Sequence, residues 1–400
     1  QPRQLVYNSP STITSGTVLP QITVNAVDPT TGAVSATGLP LDGQVTSGEL
    51  RDLLDMRDSF LPNFATELGQ LGTSVADALN AVHNQNSAVP PPASLTGLNT
   101  GLTASDLQGF TGSTTFYTFD ANNNVVGSAT VNFSALPANA TIGDVINQVN
   151  AALGSSGSLS LNNGVLTFSA GTGATGVAIQ DGTPPSDRGG SGFSQFFGLN
   201  NVVQTQTQGV PNYDTGLTST SSPDFTGAVT LQLVGPNNSV AGQYTLNFDQ
   251  PPLNAAGTTM NDVLNALNAS SALGNFSTFS LDANGALVAT PKPGGSGYQV
   301  GTTSDTTNRG GTGVTFSNFF GVGSSYVANA AINFSVASNI ASNPMNLALA
   351  QVNPSGSPAL TLGDGSGALN LQALALQSVS IPAAGDLAAS NTSLTNYVSQ

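Results

Sequence analysis

The longest regular pattern in the chain opens at Ser47. Leu50, Leu54, Leu61, Phe64, Leu68, Leu71, Val75, Leu79 and Val82 recur mostly three or four positions apart. That spacing predicts an amphipathic helix over residues 47–86, with Ser47 as its N-cap and one apolar stripe turned toward a partner. Pro62 lies inside it and must kink or restart the helix, because proline has no N–H to give the preceding turn. Pro90, Pro91 and Pro92 close the segment. Upstream, residues 1–45 alternate apolar and polar positions, as in Gln21-Ile22-Thr23-Val24, and are broken by Pro and Gly. This is β-hairpin material.

Two later stretches share one pattern. Residues 109–133 read GFTGSTTFYTFDANNNVVGSATVNF and residues 224–248 read DFTGAVTLQLVGPNNSVAGQYTLNF, aligned without a gap at an offset of 115. TIGDVINQVNAAL from Thr141 corresponds to TMNDVLNALNASS from Thr259, and LNNGVLTFSA from Leu161 to LDANGALVAT from Leu281. DRGGSGFSQFFGL from Asp187 corresponds to NRGGTGVTFSNFFGV from Asn308. Each copy predicts a hairpin, a helix capped by a threonine, and a second hairpin: ββαββ. In the first copy Ile142, Val145, Ile146, Val149 and Leu153 fall at helical spacing and Gly154 stops the run.

The last stretch differs again. Ile332, Phe334 and Val336 alternate, Pro344 is placed to open a short helix to about Ala350, and Leu369, Ala373, Leu374 and Leu376 read as helical. A further helix is expected from Leu387 to Val398. The expected fold class is therefore α+β, with four segments. Residues 1–107 and 329–400 form two halves of a discontinuous, helix-rich core; residues 108–204 and 223–328 are inserted β-rich repeats that project from it.

Composition narrows the function. The 400 residues hold no Cys, no Trp, one His, six Lys and Arg together, and 21 acidic residues, for a net charge of -15. Such a chain has no basic stripe for a phosphate backbone and no attraction to an anionic membrane surface. Without Cys there is no thiolate site, and one imidazole cannot supply a two-histidine site. No run of about 18 apolar residues is present.

The individual motifs read as structure. Asp120 opens DANNN, part of a calcium-loop pattern, but the loop's glycine and final Glu are missing, so a hairpin turn is expected. Asp364 in GDGSG is expected to sit in a helix-capping loop. Arg188 and Arg309 begin the paired glycine-rich loops and are expected to pin each loop onto its own repeat. His83 is read as a helix C-terminal residue favoured by the dipole. Asp52, Asp55 and Asp58 pair with Arg51 and Arg57 or face solvent, and Glu49 and Glu67 form no acid–base couple. No catalytic, cofactor-binding or metal-ligating residue is expected.

Ser47 begins SGELRDLLDMRD, followed by LGQLG from Leu68 and VADALNAVHNQ from Val75. Gly48, Leu50, Leu53, Leu54, Arg57, Asp58, Leu68, Gln70, Leu71, Ala76, Asn80 and His83 match the central helix of the first hook-associated protein family (FlgK-type) of bacterial flagella, which this stretch resembles. Arg3-Gln4-Leu5-Val6 is similar to the family's preceding segment. Thr141, Asp144, Val145, Gln148, Val149 and Asn150, and Thr259, Asp262, Val263, Ala266 and Asn268, resemble the helix of the flagellin hook insertion module.

The resemblance implies a non-catalytic adaptor between hook and filament, outside the cell and exported through the flagellar type III apparatus. It implies contacts with the flagellar hook protein and the second hook-associated protein (FlgL-type), self-association in a ring, and an export chaperone. The coiled-coil termini that serve assembly and chaperone binding are expected to be missing, as in a central fragment. Nucleic acid and membrane are not expected partners. The alternatives are another flagellar axial protein (flagellin or filament cap), a surface adhesin or carbohydrate-binding protein with tandem β modules, and a polysaccharide-cleaving enzyme.

Overall fold

The computed structural model describes residues 22–34, 39–40, 44–205, 209–235, 240–322 and 325–397. The fold is α+β: helices mixed with several small antiparallel sheets. Near the start, Thr23–Val24 pairs with Leu39–Pro40; residues 1–21, including Arg3 to Val6, lie outside the described residues.

The long helix forms, with corrections. It runs as α-helix Glu49–Asp55, a π-helical turn Met56–Phe60, and α-helix Leu61–His83. The N-cap is Gly48 at φ 86, not Ser47, and no side chain caps the end. A left-handed φ suits glycine and excludes a hydroxyl cap there. Pro62 stands in the first turn of the second α segment, where the helix resumes after the π-helical turn. The wider turn just before it absorbs the missing N–H, and Asp55 and Leu61 keep right-handed helical angles.

Each repeat places one helix against small sheets. In the first, Val125–Asn132, Ser113–Phe119 and Gly176–Asp181 form one three-stranded sheet, in that order. Ser94–Asn99, Val165–Ala170 and Gly157–Asn162 form the other. In the second repeat, Val240–Asn247, Ala228–Val234 and Gln299–Asp305 make a three-stranded sheet, while Ser277–Leu281 and Leu287–Pro291 stay two-stranded. Each repeat thus adds a strand to the expected ββαββ order, at Gly176–Asp181 and Gln299–Asp305.

The two helices, Ile142–Leu153 and Met260–Ala269, start alike. The Thr141 N–H donates to Asp144 at 2.8 Å and the Asp144 N–H donates to Thr141 Oγ1 at 3.1 Å, a capping box. The Thr259 N–H donates to Asp262 at 2.8 Å. Asn150 and Asn268 then fasten helix to strand. Asn150 receives the Leu159 N–H at 2.7 Å and donates to the Leu159 carbonyl at 2.9 Å; Asn268 does the same with Phe279 at 2.8 and 2.9 Å.

Buried side chains of both repeats belong to one contiguous apolar cluster. Phe110, Phe133, Phe193, Phe196 and Phe197 form one group of contacting rings and Phe225, Phe248, Phe316, Phe319 and Phe320 a second, with centroids of contacting rings 4.8–6.2 Å apart.

The C-terminal stretch departs most from its pattern. Only Ser335–Val336 of the alternating run is strand, paired with Val203–Gln204. Pro344 opens a single 3₁₀ turn to Asn346, and Ala350 is instead bridged to Ser87. Ser366–Leu374 is helical as expected. Residues from Leu387 do not continue as helix: Ser390–Ser393 is a strand paired with Ser378–Ile381, and helix begins only at Leu394. These short runs have no propensity strong enough to resist tertiary pairing.

Candidate assembly surface and buried clamps

The N-terminal half of the long helix leaves most of the stripe its periodicity marks exposed, while Leu71, Val75, Leu79 and Val82 are half-buried. Leu50, Leu53, Met56, Phe60, Leu61, Phe64 and Leu68 are exposed, from 41% at Leu50 to 60% at Leu53, and only Leu54 of this half is buried. Phe60 and Phe64 lie one turn apart with parallel rings 6.4 Å between centroids. Scattered exposed apolar residues are ordinary; a file of them along one helix marks an interaction surface.

The face that is buried carries small and polar residues: Gly69, Ser74, Ala76, Asn80 and His83. It packs on the helix Ser325–Ala330, the helix Ser366–Leu374 and the strand Ser378–Ile381. Gly69 permits the closest approach. A Cβ there would stand 1.8 Å from the Val327 carbonyl oxygen, so no other residue fits without movement of backbone. The sequence signal was the LGQLG run, read for its leucines rather than its glycines.

At the end of this face the polar residues make a clamp. Asn80 receives the N–H groups of Val202 and Val203 at 2.9 and 3.0 Å and donates to the Val203 carbonyl at 2.8 Å. Asn84 accepts from Ser194 Oγ at 2.6 Å and donates to Asn201 at 2.7 Å. His83 ends the helix as expected, but it is fully buried, and its role there is not the one a charged imidazole would have beside the dipole. Its Nε2 accepts the Ala348 N–H at 2.8 Å, so Nδ1 carries the proton and donates to the Asn200 carbonyl at 2.6 Å. Burial depresses its pKa below the ordinary histidine value, partly opposed by the Asn200 carbonyl. The ring is neutral and ties the helix to two distant segments.

Arg188 and Arg309 do not pin loops onto their own repeats alone. Arg188, in the first repeat, donates Nε to Asp214 at 3.2 Å and Nη2 to the Asp214 carbonyl at 2.9 Å, just ahead of the second repeat. Its Nη1 reaches the carbonyls of Leu107 and Gln108 at 3.2 and 3.1 Å. Arg309, in the second repeat, reaches back to Asp106 with Nη1 and Nη2, and to the Gly101 carbonyl at 2.6 Å. Each guanidinium also covers a phenylalanine of its own repeat, Phe196 at 4.5 Å and Phe319 at 4.3 Å. Burial lowers the Arg188 pKa first; Asp214 and Asp106 raise it and Arg309 lowers it, so the four charges share one buried neighbourhood.

Other acids hold backbone or pair with arginines. Asp120 accepts the N–H groups of Asn122 and Asn124 at 2.8 and 2.9 Å, the turn read from its sequence. Asp364 accepts from Ser366 and Gln351, both at 2.9 Å, at the start of the helix Ser366–Leu374. Arg51 pairs with Asp55 and Arg57 with Asp58. Glu67 accepts the Asp386 N–H at 2.9 Å. Among the described residues no group of three or more His, Asp or Glu could hold a metal ion, and no helix is long and apolar enough to cross a membrane.

Residues 7–90 match the family model of the flagellar hook-associated protein FlgK helical domain. The match covers the exposed stripe and the clamp residues Asn80, His83 and Asn84; over these residues the chain is similar to that helical domain. Comparison with curated proteins finds no match.

Proposed function

We propose that this protein is a structural subunit of the bacterial flagellum that joins hook to filament and performs no catalysis. The observation that carries the reading is the exposed apolar file from Leu50 to Leu68, on the helix that matches the flagellar family. In a chain of net charge -15, a row of leucines and phenylalanines left in water fits a surface covered by neighbouring subunits. The neighbours are the hook protein, the second hook-associated protein and further copies of this chain. On this reading the two flanks form the part embedded in the assembly, and the repeats 108–204 and 223–328 are carried outward on it. Its place is extracellular, reached through the flagellar export apparatus.

Deleting the gene in the producing bacterium and imaging the cell surface by electron microscopy tests this. Hooks without filaments, with flagellin shed into the medium, are the expected result. Intact filaments with loss of attachment to surfaces would overturn the junction role in favour of an adhesin.

A further inference from the structure

A cavity of about 250 Å³ lies between the long helix, residues 191–205 and 209–213, and the helix Ser325–Ala330. Phe196, Val210 and Val327 give it apolar walls, and Gln70, Asp77 and Gln195 are polar positions on its lining. Beyond the helix's own backbone bonds, the Asp77 carbonyl accepts from Gln195 Nε2 at 3.1 Å. The carboxylate has no hydrogen-bond or ion-pair partner among the described residues. Burial alone raises its pKa to about 6.

The chain has no described cation to spare for it. Arg51, Arg57, Arg188 and Arg309 are paired with Asp55, Asp58, Asp214 and Asp106, and Lys292 donates to the Gly274 carbonyl. His83 is neutral and bonded at both nitrogens. A half-buried carboxylate without a counter-charge is costly, and the cost falls when a cation is brought to it. The space is smaller than typical pockets for drug-sized ligands, roughly 300–1,000 Å³. Its guest is therefore the size of a single side chain.

We propose that this cavity binds an organic cation, a primary ammonium or guanidinium group on a short alkyl stem, with its charge on Asp77 and its stem against Phe196 and Val210. Gln195, whose Nε2 is engaged, keeps its carbonyl oxygen free to accept a further N–H from the guest. The source is a lysine or arginine side chain of a partner protein, or a free small amine. The proposal stands independently of the flagellar reading.

The test is chemical-shift perturbation of the isotope-labelled full chain at pH 7.5, titrated with n-butylammonium, n-propylguanidinium and uncharged n-butanol. Saturable shifts centred on Thr73 to Asn80 and Gln195 are expected with the cations, at least tenfold weaker with butanol. Asp77→Asn is expected to weaken cation binding at least tenfold while leaving the far-ultraviolet circular dichroism unchanged. The peptide Gly-Gly-Lys-Gly-Gly then separates the sources: binding like butylammonium assigns the guest to a protein side chain, and binding of the free amine alone assigns it to a small molecule. Diffuse, unsaturable shifts, or equal affinity for butanol and butylammonium, would overturn the proposal even if the variant failed to fold.

Discussion

Arg309 holds Asp106 across 203 residues of chain, with Nη1 at 2.8 Å and Nη2 at 2.6 Å from the two carboxylate oxygens. The aligned Arg188 holds Asp214 in turn. Each repeat therefore grips the segment that leads into the other. This reciprocity explains why the apolar cluster runs through both repeats without a break.

Removing one member of such a pair leaves an uncompensated charge in the interior. Arg309→Met is expected to destabilise the chain by about 3 kcal/mol, and Asp106→Leu by a similar amount. The double variant should recover much of the loss, because two apolar groups replace two buried charges. Arg309→Lys should not rescue, since an ammonium cannot make the two-pronged contact. Urea unfolding of the four chains reads the cycle.

His83 makes the fold sensitive to acid. Its pKa is lowered in the folded state, so the unfolded chain takes up the proton first as pH falls below 6.5. Its contribution is complete above 6.5 and declines as pH falls toward the folded value. His83→Phe should cost about 2 kcal/mol at pH 7.5, by orphaning the Ala348 N–H and the Asn200 carbonyl, and should cost less at lower pH. Denaturation midpoints of wild type and variant across pH 5–8 measure both.

Asp77 acts in the opposite direction. A carboxyl raised from 3.8 to about 6 destabilises the fold when ionised, and the penalty is relieved as pH falls from above 6 toward 3.8. Asp77→Asn should therefore stabilise the chain at pH 7.5, by about 2 kcal/mol, and make no difference near pH 4. Thermal unfolding at the two pH values checks the sign. A variant as stable as wild type at pH 7.5 would mean the carboxylate is not desolvated.

The exposed helix face should matter to assembly and not to folding. Leu53→Ser, Phe60→Ser and Phe64→Ser lose little buried area, so each should change the stability of the isolated chain by less than about 0.5 kcal/mol. The triple variant should nevertheless fail to restore swimming in a strain lacking the gene. Full motility would remove the surface from the proposed function.

One difference between the repeats concerns an edge. In the first, Ala170 donates its N–H to the Ala93 carbonyl at 2.9 Å, where Ser94–Asn99 adds a third strand. Among the described residues the corresponding hairpin of the second repeat has no third strand, and Pro291 stands opposite Ser277 as Ala170 stands opposite Gly157. Proline offers no N–H to a passing chain. Pro291→Ala should increase association at high protein concentration, measured by sedimentation velocity.

The sequence by itself determined the local elements. Helix periodicity from Leu50 to Val82, threonine caps at 141 and 259, and Asn-rich turns at Asp120 and Asp282 are short-range preferences, and each formed where the pattern placed it. The internal repeat likewise announced two copies of one element order. Tertiary structure alone decided which face of the long helix is covered. Periodicity marks an apolar stripe but does not say what meets it, and close approach at Gly69 together with the bonds of Asn80 and His83 turned the small and polar face inward. The partners of Arg188 and Arg309 were equally illegible. A buried guanidinium needs a carboxylate that only the folded chain brings near, and here Asp214 and Asp106 lie 26 and 203 residues away.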